Sequence, residues 1–303
     1  MQQLAAGGRD DRLSAVETRP DLEILNAIAD GQANAIAAVR SVIPALIDAA
    51  GILTETWRLG GRVAYAGAGS SGLMALVDAL ELPGTYGMEK NRIPILLAGG
   101  RPSLDHLDGA FEDDREAGLK LVQAHGIGKG DVVLAISASG STPFTLTVAN
   151  AAKARGATLI AIAGETRSPL LAIADVAVAL ATGPELISGS TRMNAGTAQK
   201  CALNMLSTLM AMRLNHVYDG MMVNLRPDNA KLQERLAHIV AQVTSVDIVA
   251  ARRAVDLAQG SGKVAILLAA GASIDAARHL LAISEGDVGA ALHAFRHASV
   301  LEE

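Results

Sequence analysis

The sequence predicts an α/β fold: a central parallel β-sheet flanked by helices, with a small helical subdomain at the C-terminal end. Three observations carry this. Five short apolar runs, at 63–66, 93–98, 132–136, 158–162 and 176–179, are each bounded by Gly, Ser or Pro, the signature of buried strands. Helix-length segments at 71–81, 113–124 and 143–155 lie between most of them, and strands alternating with helices build parallel sheets. After Pro227 the strand pattern stops and only helical periodicity continues.

In chain order, residues 1–20 are polar and read as loose or extended. From Pro20 the apolar positions Leu22, Ile24, Leu25, Ile28, Ile36, Val39 and Val42 recur at helical spacing. The alternating strands and helices follow. Residues 195–215 read as one long helix, with Ala198, Ala202, Met205, Leu206 and Leu209 on its apolar face. Beyond it, helical patterns are broken near 260–262, Gly271 and Gly286. The expected division is an N-terminal segment and helix over 1–44, the sheet domain over 45–224, and the helical subdomain over 225–303.

Composition narrows the function. The chain has 303 residues, 50% hydrophobic and 19% charged, long enough to bury a sizeable core. Aromatic residues are only 2%, so Ala, Leu, Val and Ile fill that core and no aromatic platform for nucleic-acid bases is available. A net charge of −5 and a pI of about 5.8 give no basic footprint, so no nucleic-acid partner is expected. One cysteine, Cys201, excludes an intrachain disulfide and a Cys-rich metal site. No apolar run reaches transmembrane length and the first dozen residues carry no apolar secretory core, so the expectation is a cytoplasmic protein with no membrane partner.

Two loops are built to hold an anion. In Gly67-Ala-Gly69-Ser70-Ser71-Gly72 a strand enters a glycine-rich turn and then a helix. The spacing is that of a dinucleotide-binding turn, but that site needs an acid at the end of the next strand, and the next strand ends Leu97-Ala-Gly-Gly. Ser70 and Ser71 instead add hydroxyl donors to a helix N-terminus, which suits a phosphate monoester. The second loop, Ser137-Ala-Ser139-Gly140-Ser141-Thr142-Pro143, places four hydroxyls before a helix that starts at the proline. Ordinary N-capping explains one such hydroxyl, not four in six residues at the C-terminal end of a parallel strand, where ligands of open α/β sheets collect. A third polar segment, 188–200, enters the long helix; Ser190 or Thr191 fits a cap of that helix, and Arg192 and Lys200 fit either ligand binding or pairing with surface carboxylates. The seven histidines do not cluster. His293 and His297 have a metal-binding spacing but no third ligand, so no metal site is expected.

Taken together, Gly67–Gly72 of the first loop, Glu81-Leu-Pro-Gly-Thr-Tyr-Gly87, Ala98-Gly-Gly100, Glu112-Asp-Asp-Arg-Glu116, the 137–143 loop and Gly189-Ser-Thr-Arg-Met-Asn-Ala-Gly-Thr-Ala-Gln-Lys200 follow a known order and spacing. The chain resembles the N-acetylmuramic acid 6-phosphate etherase family of sugar isomerase (SIS) domain proteins, over roughly residues 20–285; the glucokinase regulatory protein is a more distant relative. The resemblance implies a flavodoxin-like parallel sheet, a helical C-terminal part, a homodimer and no cofactor. It implies cleavage of the D-lactyl ether of an amino sugar 6-phosphate. It places Glu81 and Glu112 as the catalytic pair, with Gly69, Ser70, Ser71, Ser137, Ser139, Gly140, Ser141, Thr142, Ser190 and Lys200 holding substrate.

The chemistry asks for such residues. An ether is a poor electrophile, but the aldehyde of the open-chain sugar acidifies the adjacent C–H. Removing that proton lets the lactyl oxygen leave from the next carbon, and water then adds to the double bond. This takes a general base, a general acid and a phosphate anchor. Glu81 is assigned the leaving oxygen and the water; it ends an apolar stretch (Leu76, Val77, Leu80, Leu82), a setting that would raise a carboxyl pKa. Read without the family, Glu112 fits the acidic first turn of a surface helix better than it fits a catalytic group. Three positions depart from the family pattern: Leu73 and Ser141 stand where it has Arg, and Asn194 where it has Lys. Asp30-Gly31-Gln32 also replaces an acidic pair. A charge-assisted hydrogen bond is worth roughly 1.5–3 kcal/mol, so these losses bear on substrate identity. The competing readings are a non-catalytic sugar-phosphate-sensing regulator and a sugar-phosphate isomerase of the same superfamily.

Overall fold

The computed structural model describes residues 15–300, with side chains through His297. Most of the polar stretch expected to be extended lies outside the described residues; within them, Val16–Thr18 form a 3-10 turn. The helical pattern after Pro20 resolves into two helices, α1 (Asp21–Ser41) and α2 (Ile43–Arg58), meeting at 64°. The break has a local cause. Pro44 has no N–H to give and its ring would clash with the carbonyl four residues back, so it favours the first turn of a new helix, where no such bond is needed. Among the described residues no single helix is long and apolar enough to cross a membrane.

Five strands, β1 (Val63–Gly67), β2 (Ile95–Leu97), β3 (Val132–Ser137), β4 (Thr158–Ala163) and β5 (Val176–Ala179), form one sheet. Its order is β2-β1-β3-β4-β5 and every pairing is parallel, the flavodoxin-like arrangement. The residues of β1 and β3 are all buried, which is why they read as unbroken apolar runs rather than alternating ones. The strand expected over 93–98 is cut to three residues: Pro94 has no N–H for the ladder, and Gly99 and Gly100 turn the chain with positive φ. One face of the sheet packs Phe144, Val148, Val122 and Ile127 against Leu96, Val133 and Leu159.

The connecting helices are α3 (Gly69–Tyr86), α4 (Ala110–Asp113), α5 (Arg115–Ala124), α6 (Pro143–Ala154), α7 (Pro169–Ala172) and α8 (Asn194–Arg213). The single helix expected over 113–124 is split, because the Asp114 side chain accepts the Ala117 N–H (2.8 Å) and starts a new helix there. The helix expected over 71–81 begins two residues earlier and runs on to Tyr86, through Pro83.

Two polar ties hold this unit. The Arg62 guanidinium meets the Asp131 carboxylate through Nε (3.0 Å) and Nη2 (2.7 Å), joining the starts of β1 and β3. Buried Asp78 on α3 accepts the Tyr65 hydroxyl (2.8 Å) from β1 and the Ser207 hydroxyl (3.0 Å) from α8.

The described chain divides into two compact units, one comprising residues up to Ala79 with Asn91–Ser207, the other Leu80–Lys90 with the chain from Thr208 onward. The second is helical: α9 (Ala230–Thr244), α10 (Ile248–Leu257), α11 (Gly262–Ala269), α12 (Ile274–Ile283) and α13 (Val288–Val300). Its breaks fall at Gly260, Gly271 and Gly286, all with positive φ. Asn229, Asp247 and Ser273 cap α9, α10 and α12. Its core gathers Val223, Leu236, Val240, Val255, Ile266 and Leu292.

Candidate functional site

The strand order reverses between β1 and β3, and Gly67 at the end of β1 lies opposite Ile136 near the end of β3. The loops that leave these two strands are the two hydroxyl-rich ones. They therefore open side by side at the topological switch point, where open α/β sheets bind ligands.

In the first loop the glycines serve contact with one another. A Cβ on Gly67 would stand 2.9 Å from Gly72 Cα, and one on Gly72 would stand 3.0 Å from the Gly67 carbonyl oxygen and 2.6 Å from Leu97 Cδ1. The turn needs Gly69 for a second reason. Its φ is +53°, and a Cβ there would overlap Glu112 Oε1. Glu112 thus presses its carboxylate onto the start of α3, beside partly exposed Ser70 and buried Ser71. It sits in the short α4 ahead of the surface helix α5, not in that helix's acidic first turn. Burial, with a smaller contribution from Asp113, pushes the Glu112 carboxyl above the ordinary glutamate range. That is the direction an acid–base group working near neutrality requires.

The second loop is a closed hydroxyl network. Ser137 Oγ accepts the Gly140 N–H (3.0 Å) and pairs with Thr142 Oγ1 (2.9 Å). Ser139 Oγ accepts both the N–H (3.2 Å) and the hydroxyl (3.0 Å) of Ser141. Although Thr142 is the N-cap residue of α6, its side chain makes no capping bond, so ordinary capping does not account for it. The loop is braced from behind: the Gly164 N–H donates to the Ala138 carbonyl (2.9 Å) and the Leu170 N–H to the Gly140 carbonyl (3.0 Å). Between those bonds Ser168, 2% exposed, packs its side chain against Gly140, whose φ is +63°. Ser168 Oγ has no hydrogen-bond partner among the described residues.

The third segment leaves edge strand β5, two strands from β3. The cap of α8 comes from neither Ser190 nor Thr191. Glu185, 1% exposed, accepts the N–H groups of Asn194 and Ala195, each at 2.9 Å. A carboxylate at that position satisfies two orphan donors and meets the positive end of the helix dipole. Asn194, buried, also accepts from Gln32 Nε2 (3.3 Å), and the Thr197 hydroxyl donates to Gln32 Oε1. The positions departing from the charged family pattern, Gln32 and Asn194, are therefore joined as a neutral amide pair. Lys200 Nζ donates to Asn204 Oδ1 (2.7 Å). Sequence reasoning missed both Glu185 and Ser168. Glu185 lies nine residues ahead of Asn194 in the same connection, beyond the spacing of an ordinary cap, and Ser168 comes from a different loop than Gly140, so no local pattern marks either.

Glu81 lies on α3 within the second unit. It is exposed, as is the adjacent Leu80 at 63%, so the apolar enclosure expected for this carboxyl is not provided by its neighbours on the helix. Two cavities lie away from the hydroxyl loops. One of about 950 Å³ surrounds Arg62, Lys129, Asp131 and Arg155 at the opposite, N-terminal edge of the sheet. Another of about 650 Å³ lies between α1 and residues 181–186. Neither carries a convergent set of acid–base groups and hydroxyl donors. Among the described residues no three His, Cys, Asp or Glu side chains group as metal ligands, and the His293 and His297 rings pack edge-on at 4.3 Å.

Comparison with known proteins gives the same direction. Residues 27–164 match the SIS domain family. The chain is 42% identical over 245 residues to an N-acetylmuramic acid 6-phosphate etherase of Deinococcus radiodurans, covering 81% of this chain and 80% of the relative. The protein of that name from Symbiobacterium thermophilum is 39% identical over 267 residues, covering 88% and 89%. The one from Mycolicibacterium smegmatis is 36% identical over 292 residues, covering 96% and 98%.

Proposed function

The chain belongs to the N-acetylmuramic acid 6-phosphate etherase family, and from that premise we propose that it is a carbon–oxygen lyase that releases D-lactate from N-acetylmuramic acid 6-phosphate, leaving N-acetylglucosamine 6-phosphate. The observation that carries the reading is the pairing at the β1/β3 switch point: two hydroxyl loops suited to a phosphate, with the half-buried Glu112 carboxylate set against one of them.

The steps follow from the substrate. The open-chain aldehyde acidifies its neighbouring C–H. A base takes that proton, the C–O bond to the lactyl group breaks, and the departing oxygen takes a proton from an acid. Water adds across the double bond, so the net reaction consumes one water and forms lactate and the 3-hydroxy sugar. Glu81 is assigned the leaving oxygen and the incoming water. Glu112, its carboxyl raised by burial, is assigned the second acid–base role. Ser70, Ser71, Ser139 and Thr142 hold the phosphate and sugar, and Ser190 and Lys200 complete the substrate contacts from the third segment. The working form is a cytoplasmic homodimer. Exposed Leu22, Leu25 and Ile36 on α1 support that reading, since a second copy would cover them.

The test is D-lactate release from N-acetylmuramic acid 6-phosphate, wild type against Glu81→Gln. Fast release that collapses in the variant is expected. No release by wild type, with sugar-phosphate binding intact, refutes the assignment for this substrate.

A further inference from the structure

We infer that Asn224 is a positioning residue for Glu81: its side-chain amide, together with the Arg226 backbone N–H, holds the last turn of α3 and so fixes the glutamate in place. The inference rests on the assignment of Glu81 to the reaction above and adds a residue that acts through it. Every group involved lies in the helical unit.

The need for such a residue begins in the sequence. Pro83 follows Glu81 by two residues, inside α3. It brings no N–H, so the Ala79 carbonyl one turn back has no helical donor, and the proline ring crowds that carbonyl. Gly84 comes next, a poor helix former second only to proline. Gly87, with φ +65°, follows the helix end. The turn that carries Glu81 is therefore weak by its own composition.

The bonds that hold it come from a segment far along the chain. The Arg226 N–H donates to the Gly84 carbonyl (3.0 Å), and Asn224 Nδ2 donates to the Tyr86 carbonyl (2.7 Å). Carbonyls in a last helical turn have no donor within the helix, so these two are satisfied from outside. The His216 ring is a second donor to the Tyr86 carbonyl. The Tyr86 hydroxyl donates to Thr208 Oγ1 on α8 (3.3 Å). The two segments also touch closely: a Cβ on Gly87 would overlap the Asn224 carbonyl oxygen and stand 2.8 Å from Asn224 Nδ2. Asn224 is itself anchored. Val223 and Leu225 on either side of it are 0% and 3% exposed, sealed in the core of the helical unit. That core is the fixed reference, and Asn224 carries its position to the turn that bears Glu81.

The experiment is steady-state D-lactate release from N-acetylmuramic acid 6-phosphate by wild type, Glu81→Gln, Asn224→Ala, Asn224→Gln and Asp247→Ala, with the folded fraction of each read from its urea transition. Misplacing a reacting group by about 1 Å can cost a hundredfold. Asn224→Ala is expected to lower kcat about tenfold to a hundredfold per folded molecule, with KM within about twofold of wild type. Asn224→Gln keeps the donor on a longer arm and is expected to recover part of that loss. Asp247→Ala removes the cap of α10, a loss of stability in the same unit that leaves the Glu81 turn alone, and is expected to keep the wild-type kcat.

A wild-type kcat in Asn224→Ala, a change confined to KM, or an equal fall in Asp247→Ala overturns the positioning role while leaving Glu81 standing. If Asn224→Ala does not fold, Tyr86→Phe decides instead: it removes only the hydroxyl bond to Thr208 from the same turn, a smaller fall in kcat at unchanged KM is expected, and an unchanged kcat overturns the inference. A wild-type rate in Glu81→Gln, or no release by wild type, overturns the underlying assignment and this one with it.

Discussion

Replacing Gly140 with alanine strikes the second hydroxyl loop where it is tightest. Two costs follow from its geometry. The backbone there has φ +63°, a left-handed conformation that costs a residue with a Cβ about 1–2 kcal/mol. The added Cβ would also overlap Ser168 Cβ and Oγ and stand 3.1 Å from Ala163 Cβ. Ser168 cannot swing away, being buried ahead of Pro169 and followed by the Leu170 N–H bond to the Gly140 carbonyl. Overpacking of this kind costs about 1–3 kcal/mol. The sum is about 2–5 kcal/mol, read as a lower urea midpoint at unchanged slope. Sugar-phosphate affinity should fall with it, because the same shift breaks the Gly140 N–H bond that orders Ser137. The control is Gly140→Ala with Ser168→Gly, which removes the overlapping atoms. It should recover the steric share and leave the backbone share. A Gly140→Ala variant as stable as wild type, or a double variant that recovers nothing, would refute the reasoning.

Asp113→Asn removes one of the two influences that raise the Glu112 carboxyl; the limb of the pH–rate profile that depends on Glu112 should move to lower pH, only part of the way, because burial is the larger influence. Glu185→Ala strips α8 of its cap and leaves the Asn194 and Ala195 N–H groups buried without a partner; a loss of about 2–4 kcal/mol is expected by denaturant titration, with Glu185→Gln recovering part of it. Burial alone would raise the Asp131 carboxyl, but the Arg62 guanidinium and the Gly128 and Arg62 backbone N–H groups outweigh it and hold the pKa below the aspartate norm. A depressed pKa gives stability that is present above the unfolded value, near 3.9, and lost as pH falls through the folded one. Asp131→Asn should therefore be less stable than wild type by about 1–3 kcal/mol at pH 7, Arg62 being partly exposed, and the gap should close as the pH falls below about 4.

Much of this protein was legible in its residues. Five apolar runs punctuated by Gly, Ser and Pro fixed five parallel strands, because a strand buried on both faces has no polar positions to alternate with. Hydroxyls gathered at the ends of two of those runs, four in six residues at the second, are the sequence signal behind the proposed phosphate site. Where the pattern misled, the competing influence was local. Pro94 and two glycines shortened β2, and the Asp114 cap divided a helix that periodicity ran together.

Tertiary structure decided the rest, because it depends on groups distant in sequence. The strand order alone sets the two loops side by side. Folding alone presses Glu112 onto Gly69, 43 residues away (112 − 69), and so raises its carboxyl while the neighbouring Asp113 stays exposed. Burial separates Ser137 from Ser139, two hydroxyls that composition cannot tell apart. Periodicity names the faces of helices and strands; which polar group meets which, and how much water it keeps, is settled only when those faces pack.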